Sequence, residues 1–194
     1  MRLWYARRGI SWVPLLACLL LAVVAAEIGR HWPSSLFLLL PGALAFCSAA
    51  AGFVFDETAT SVVAVTPRGA GWRRSTRCLV ALLPAGLWVA IVARAHGVEM
   101  ALDRTDWLLA GLGGQLLALG LAAMAARRQV HAPGGSVASL LVMFVLTPLV
   151  AAPFAGLDPV LPIGPFTDRV TAFWIGTTLL GAVVVVRGVR PGLR

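Results

Sequence analysis

Three histidines, three cysteines and eight carboxylates are the side chains of this 194-residue chain best suited to chemistry, and their spacing excludes most of it. His31, His96 and His131 fall in loops between apolar stretches. No pair lies within a stretch to ligate haem, and no His-Glu-x-x-His is present to hold a catalytic zinc. Cys18, Cys47 and Cys78 stand singly, without a Cys-x-x-Cys pair, and so are expected as buried free thiols and not as a redox centre or zinc site. No Ser occurs in a Gly-x-Ser-x-Gly context with a His at membrane depth to serve as its base. A Gly-x-x-x-x-Gly-Lys-Ser/Thr phosphate loop is also missing, so ATP is not expected to bind by that route. The expectation is a chain that is not itself an enzyme and holds neither metal nor cofactor.

The most polar side chain near the middle of an apolar run is Gln115. An interhelical hydrogen bond explains it better than a place on a transport pathway, although a pathway role stays open. No run carries an ionisable group near its centre, which disfavours a proton-driven transporter.

The elements that hold these residues follow from composition. Hydrophobic residues make up 59% of the chain, charged residues 12%, and the mean hydropathy is +0.88. A soluble domain of this size lacks the polar surface to cover so much apolar material, whereas lipid suits it. Six apolar stretches approach spanning length: roughly Ile10 to Ile28, Ser35 to Phe55, Cys78 to Ala95, Trp107 to Ala126, Val137 to Phe154 and Val170 to Val186. The fold class is therefore all-α, a single polytopic transmembrane domain over residues 1–194. Pro84 and Pro148 should kink or break their helices unless neighbours satisfy the freed carbonyls.

All 16 basic residues are Arg, and they set the orientation. Twelve fall on one side: Arg2, Arg7, Arg8, Arg68, Arg73, Arg74, Arg77, Arg127, Arg128, Arg187, Arg190 and Arg194. Arg30, Arg94, Arg104 and Arg169 fall on the other. The loops are short, the regime in which such a bias marks the cytoplasmic face, so both termini are expected there, in the plasma (inner) membrane of the cell. The same topology accounts for a sequence pI near 11.4 without nucleic acid as a partner.

Small residues recur at helix-packing intervals. Ala110, Gly114, Ala118 and Ala122 form one stripe on the fourth span, and Gly42, Ala45, Ala49 and Gly52 another on the second. Such stripes let helices approach closely in lipid, within one subunit or, alternatively, at a subunit interface.

The inner loop between the second and third spans carries the only acidic pair expected on the cytoplasmic side, Asp56 and Glu57. Asp56 can cap a helix, Glu57 complements its dipole, and Thr66-Pro67 ends it. The expectation is a short amphipathic cytoplasmic helix over Asp56 to Val65, then a turn, with Trp72, Arg73, Arg74 and Arg77 anchoring the third span at the interface. Such a helix is either a structural linker or a docking element.

The string Phe-Asp-Glu-x-Ala from Phe55, followed by Pro67-Arg68 and Trp72-Arg73-Arg74, resembles actinobacterial ABC exporter permeases of the six-helix type V (ABC-2-like) group. The resemblance implies that Phe55, Asp56, Glu57, Thr58, Ala59, Thr60, Ser61, Val62 and Val63 belong to a coupling helix seated on a separate ATP-binding cassette ATPase, which would hold ATP and Mg. It implies a second permease subunit, identical or not, and an amphipathic, lipid-like or peptide substrate. It also implies an interfacial helix around Leu3 to Trp12, and a hydrophobic outer hairpin over Ala155 to Thr167. Both departures from the family lie there: the N-terminal segment is shorter, and the last outer loop is barely long enough for a hairpin. A non-transporting subunit that anchors a larger membrane complex is the alternative.

Overall fold

A computed structural model describes residues 7–56, 70–95, 102–128, 133–155, 159–162 and 164–190. Among them the regular structure is helical: α1 Trp12–His31, a 3-10 turn Pro33–Ser35, α2 Leu36–Phe53, α3 Ala70–Val80, α4 Leu82–Ala95, α5 Arg104–Arg127, α6 Pro133–Ala155 and α7 Asp168–Val189. Five segments are long and apolar enough to cross a membrane, Trp12–His31, Pro33–Phe53, Ser75–Ala95, Arg104–Arg127 and Asp168–Val189. With α6 as a further apolar helix, five to six could span. By length and composition this is a membrane protein.

Polar contacts between helices gather at two places: at one, the end of α2 meets the start of α6 and Arg77 of α3, and at the other, the last turns of α1 and α4 meet. The centre is α5, which packs on α7, α2, α4 and α6, while α1 lies outside against α2. Apolar pattern explains the difference: α1 presents Val13, Leu16, Leu20 and Val24 outward, as a lipid-facing helix can, whereas α5 is interrupted by glycine and alanine on several faces.

Pro84 behaves as expected. Its ring opposes the carbonyl four residues earlier, at Val80, and the helix is interrupted at Ala81 between α3 and α4. Pro148 does not: α6 runs without a break from Pro133 to Ala155, and α2 likewise contains Pro41. Neighbouring groups can take up the freed carbonyls in packed membrane helices.

The connection between α2 and α3 departs from expectation in a second way. Of the turn anticipated before Trp72, the described residues from Ala70 are helical, and α3 is strongly amphipathic in sequence, with Thr76 and Arg77 buried and Leu79 exposed. The helix anticipated over Asp56 to Val65 falls outside the described residues from Glu57 onward. Asp56 itself follows a turn and is not helical. Of the N-terminal interfacial segment, Leu3 to Ala6 fall outside them, whereas residues 7–9 are helical. Of the segment expected as an outer hairpin, the described residues 159–162 and 164–167 form no helix, and the rest, apart from Ala155 at the end of α6, lies outside the described residues. Instead this segment is pinned to the bundle, because the Trp174 indole donates to the Val160 carbonyl at 3.0 Å and the Phe166 N–H to an Asp106 carboxylate oxygen at 3.1 Å.

Candidate functional site

The arginine-rich end holds the first site. Where α2 ends, the chain turns through Val54 and Phe55, and the Asp56 carboxylate points back into the bundle with 6% of the residue exposed. Its Oδ1 accepts the Gly134 N–H at 2.6 Å. Gly134 is in the first turn of α6, just after Pro133, where helical N–H groups lack partners of their own and the dipole favours an anion. A methyl group on Gly134 would stand 2.7 Å from Asp56 Oδ2 and from Phe53 Cδ1, so only glycine permits this approach. Arg77 completes the cluster from α3: it donates to the Phe55 carbonyl at 2.9 Å, and its guanidinium lies 5.5 Å from the Phe55 ring centroid. Burial pushes the Asp56 carboxyl up from its ordinary value, while the Gly134 N–H and the Arg77 charge pull it partly back.

This arrangement revises the reading of the loop. Phe55 and Asp56 are buried, and Asp56 caps the start of α6. Glu57, Thr58, Ala59, Thr60, Ser61, Val62 and Val63 lie outside the described residues. The chain enters residues 57–69 from a carboxylate fixed to α6 and leaves them into a helix fixed to Phe55.

The small-residue stripes divide. Ala110, Gly114, Ala118 and Ala122 are all buried, and a methyl group on Gly114 would meet Ser48 Oγ of α2 at 2.8 Å. Ala45 and Ala49 are buried too, and Gly52 faces Val137 of α6. Gly42 is the exception: a methyl group there would meet nothing within 4 Å, so it marks no close crossing. Gln115 is buried, yet its Oε1 finds no hydrogen-bond partner among the described residues, and neither does Ser48 Oγ. The interhelical bond expected of that oxygen is therefore absent there.

Two sets of residues escaped the sequence reading. Gly113 and Gly120 on α5 lie against Thr178 and Val184 of α7, and Gly181 and Gly188 on α7 lie against Leu117 and Ala123 of α5, each glycine pair seven residues apart and so on one helical face. A methyl group on Gly181 would stand 2.7 Å from the Leu117 backbone nitrogen, and one on Gly120 would stand 2.9 Å from that of Val185. Gly111, on another face of α5, leaves space for the Trp88 indole, which donates to the Trp107 carbonyl at 3.0 Å. The glycine heptads were the available signal.

The second set lies at the opposite end. Glu27 of α1 pairs with Arg30 at 3.2 Å, one turn along the same helix, and with Arg94 of α4 at 3.5 Å. Beside them α1, α2 and α4 enclose a groove of about 190 Å³, whose apolar lining includes Val23, Leu36, Leu40, Leu87 and Ile91. The Glu27-x-x-Arg30 spacing was a legible local pair; the contribution of Arg94 needed the fold.

Among the described residues no group of three or more His, Cys, Asp or Glu side chains is placed to hold a metal. Compared with family models, with curated proteins and with solved structures, the chain matches none.

Proposed function

We propose that this chain is the transmembrane permease subunit of an ATP-binding cassette exporter, seated in the plasma membrane with both termini in the cytoplasm. It would move an amphipathic, lipid-like or peptide substrate, with ATP and Mg held on a separate ATPase and the pathway completed by a second permease subunit. The observation that carries the reading is the clamping of residues 57–69 at both ends, through Asp56 on the start of α6 and Arg77 on the Phe55 carbonyl. Flanks tied by polar contacts to α3 and α6 pass a push from a cytoplasmic partner into the bundle, where loosely tethered flanks would absorb it. The string from Phe55 to Arg74 and the 12-to-4 division of arginines support the same reading.

The pinned, non-helical residues 159–162 and 164–167 favour a second reading, a non-transporting subunit that anchors a larger complex. Co-expression with the products of the neighbouring genes, followed by co-purification and a search for an ATPase among them, separates the two. Recovery of the ATPase that falls with Glu57→Arg and Thr60→Arg, at unchanged membrane insertion, supports the exporter reading. Recovery insensitive to both substitutions, or no ATPase at all, opposes it. Reporter fusions after Arg194 and within residues 99–104 test the topology, the external reporter being active only at the second position.

A further inference from the structure

The groove between α1, α2 and α4 combines two features that are independent in sequence. Four arginines lie away from the arginine-rich end, and two of them, Arg30 and Arg94, converge here from different helices. They share one carboxylate, Glu27, so the cluster keeps one net positive charge. Arg30 lies one turn from Glu27 on the same helix, an arrangement that survives any rearrangement between helices. Arg94 reaches across from α4, its side chain 65% exposed, and is the guanidinium free to exchange partners.

Beneath these charges the groove is apolar, and it opens past Val23 and Ala90 on the outer surface of the bundle. A hollow of this lining offers water few hydrogen-bond partners, and leaving it empty forfeits dispersion contacts along its walls. Both charged helix ends lie at the boundary of the apolar stretches, beside the exposed Trp32, a residue type that favours the headgroup level.

We propose that this groove binds an anionic phospholipid, one acyl chain lying along Val23, Leu40, Leu87 and Ile91 and the phosphate on Arg94. Charge decides for an anionic lipid over a zwitterionic one. Arg30 neutralises Glu27 once Arg94 turns to the phosphate, which leaves no carboxylate for a cationic headgroup amine. Guanidinium suits the phosphate because it offers paired donors in one plane. The inference rests on the chain lying in a bilayer and is independent of the exporter reading.

The test is native mass spectrometry of the full chain released from micelles doped equally with dioleoyl phosphatidylglycerol and dioleoyl phosphatidylcholine. Wild type should retain the glycerol lipid in preference. Arg94→Gln should lower that retention about fivefold, since about 1 kcal/mol is lost with one charge-assisted pair. Ala90→Phe, which fills the groove without changing charge, should lower it as well. Arg169→Gln removes an equal charge elsewhere and should change nothing. Equal retention of the two lipids by wild type would overturn the proposal. So would equal losses in Arg94→Gln and Arg169→Gln, which mean attraction to net charge, or a normal Ala90→Phe, which means a surface contact without the groove.

Discussion

Along α5 and α7 the backbones approach until a single methyl group on Gly181 would strike the Leu117 nitrogen, whereas where α1, α2 and α4 meet, about 190 Å³ stays open. The two regions use similar apolar residues, so hydrophobicity does not separate them. Side-chain size at helical spacing does. Glycines seven residues apart on both partners remove the bulk that keeps helices separate, and in lipid such packing is a main source of association. Around the groove the facing residues are Leu, Ile and Val, which hold the helices off, with charges bridging only one end. Close packing marks the part of the bundle that must stay fixed, and the groove marks where an outside molecule has room.

The contrast breaks most severely at the glycines. Gly181→Leu forces four heavy atoms against the α5 backbone, and overpacking on this scale costs about 3 kcal/mol. At this chain length that is a fall of roughly 6–12 °C in the melting temperature in detergent. A wild-type melting curve would mean that the α5–α7 approach is not the tight contact described. Gly111→Ala should cost less, about 2 kcal/mol, because a whole indole must move but a side chain yields more readily than a backbone. Trp88 would lose its bond to the Trp107 carbonyl, and tryptophan emission should shift towards the red. Unchanged emission would place the indole elsewhere.

At the arginine-rich end the same logic applies to a polar contact. Asp56→Ala leaves the Gly134 N–H without its acceptor in a buried place, at about 1–3 kcal/mol. Asp56→Asn keeps an oxygen acceptor and removes the buried charge, so at neutral pH it should match or exceed wild type. The sign of the pH dependence follows from the raised carboxyl: the folded state holds this proton more tightly than the unfolded chain. That contribution is fully present below the ordinary carboxylate value and is lost as pH rises through the folded one. Wild type should therefore lose stability relative to Asp56→Asn on going up through that window. A constant difference between the two melting curves would show that Asp56 titrates as it does in water.

Much of this bundle was legible beforehand, and what was missed has a common cause. Apolar runs of spanning length located the helices, because lipid demands long unbroken stretches and punishes polar groups within them. Pro84 announced its break. What one helix does to another was harder to see. Asp56 read as a local cap, since caps are defined by neighbours in sequence, yet it serves a helix start 78 residues away. Arg94 read only as an outer charge at the end of the third span until α4 brought it to Glu27. The stripe through Gly114 was visible as a run of small residues, but Gly113 and Gly120 were hidden beside it, their partners lying on α7. Small residues say that something approaches closely, and only the fold says what.

Gly42 shows how far that ambiguity reaches, and it carries the smallest expected effect. It belongs by spacing to the same stripe as Ala45, Ala49 and Gly52, but a methyl group there meets nothing within 4 Å. Glycine in a helix interior is less favourable than alanine by about 1 kcal/mol, because its backbone has more freedom to lose. Gly42→Ala should then be neutral or stabilise the bundle by up to about 1 kcal/mol, a rise of a few degrees in the melting temperature at most. Gly181→Ala, the same chemical change in the other region, should destabilise it, since the steric conflict with the Leu117 nitrogen outweighs any gain in helix propensity. Opposite signs for one added methyl group would establish that packing, not propensity, distinguishes the two regions. A melting temperature lowered by Gly42→Ala would put another segment or a second molecule against that face, because the described residues leave space there for the methyl group.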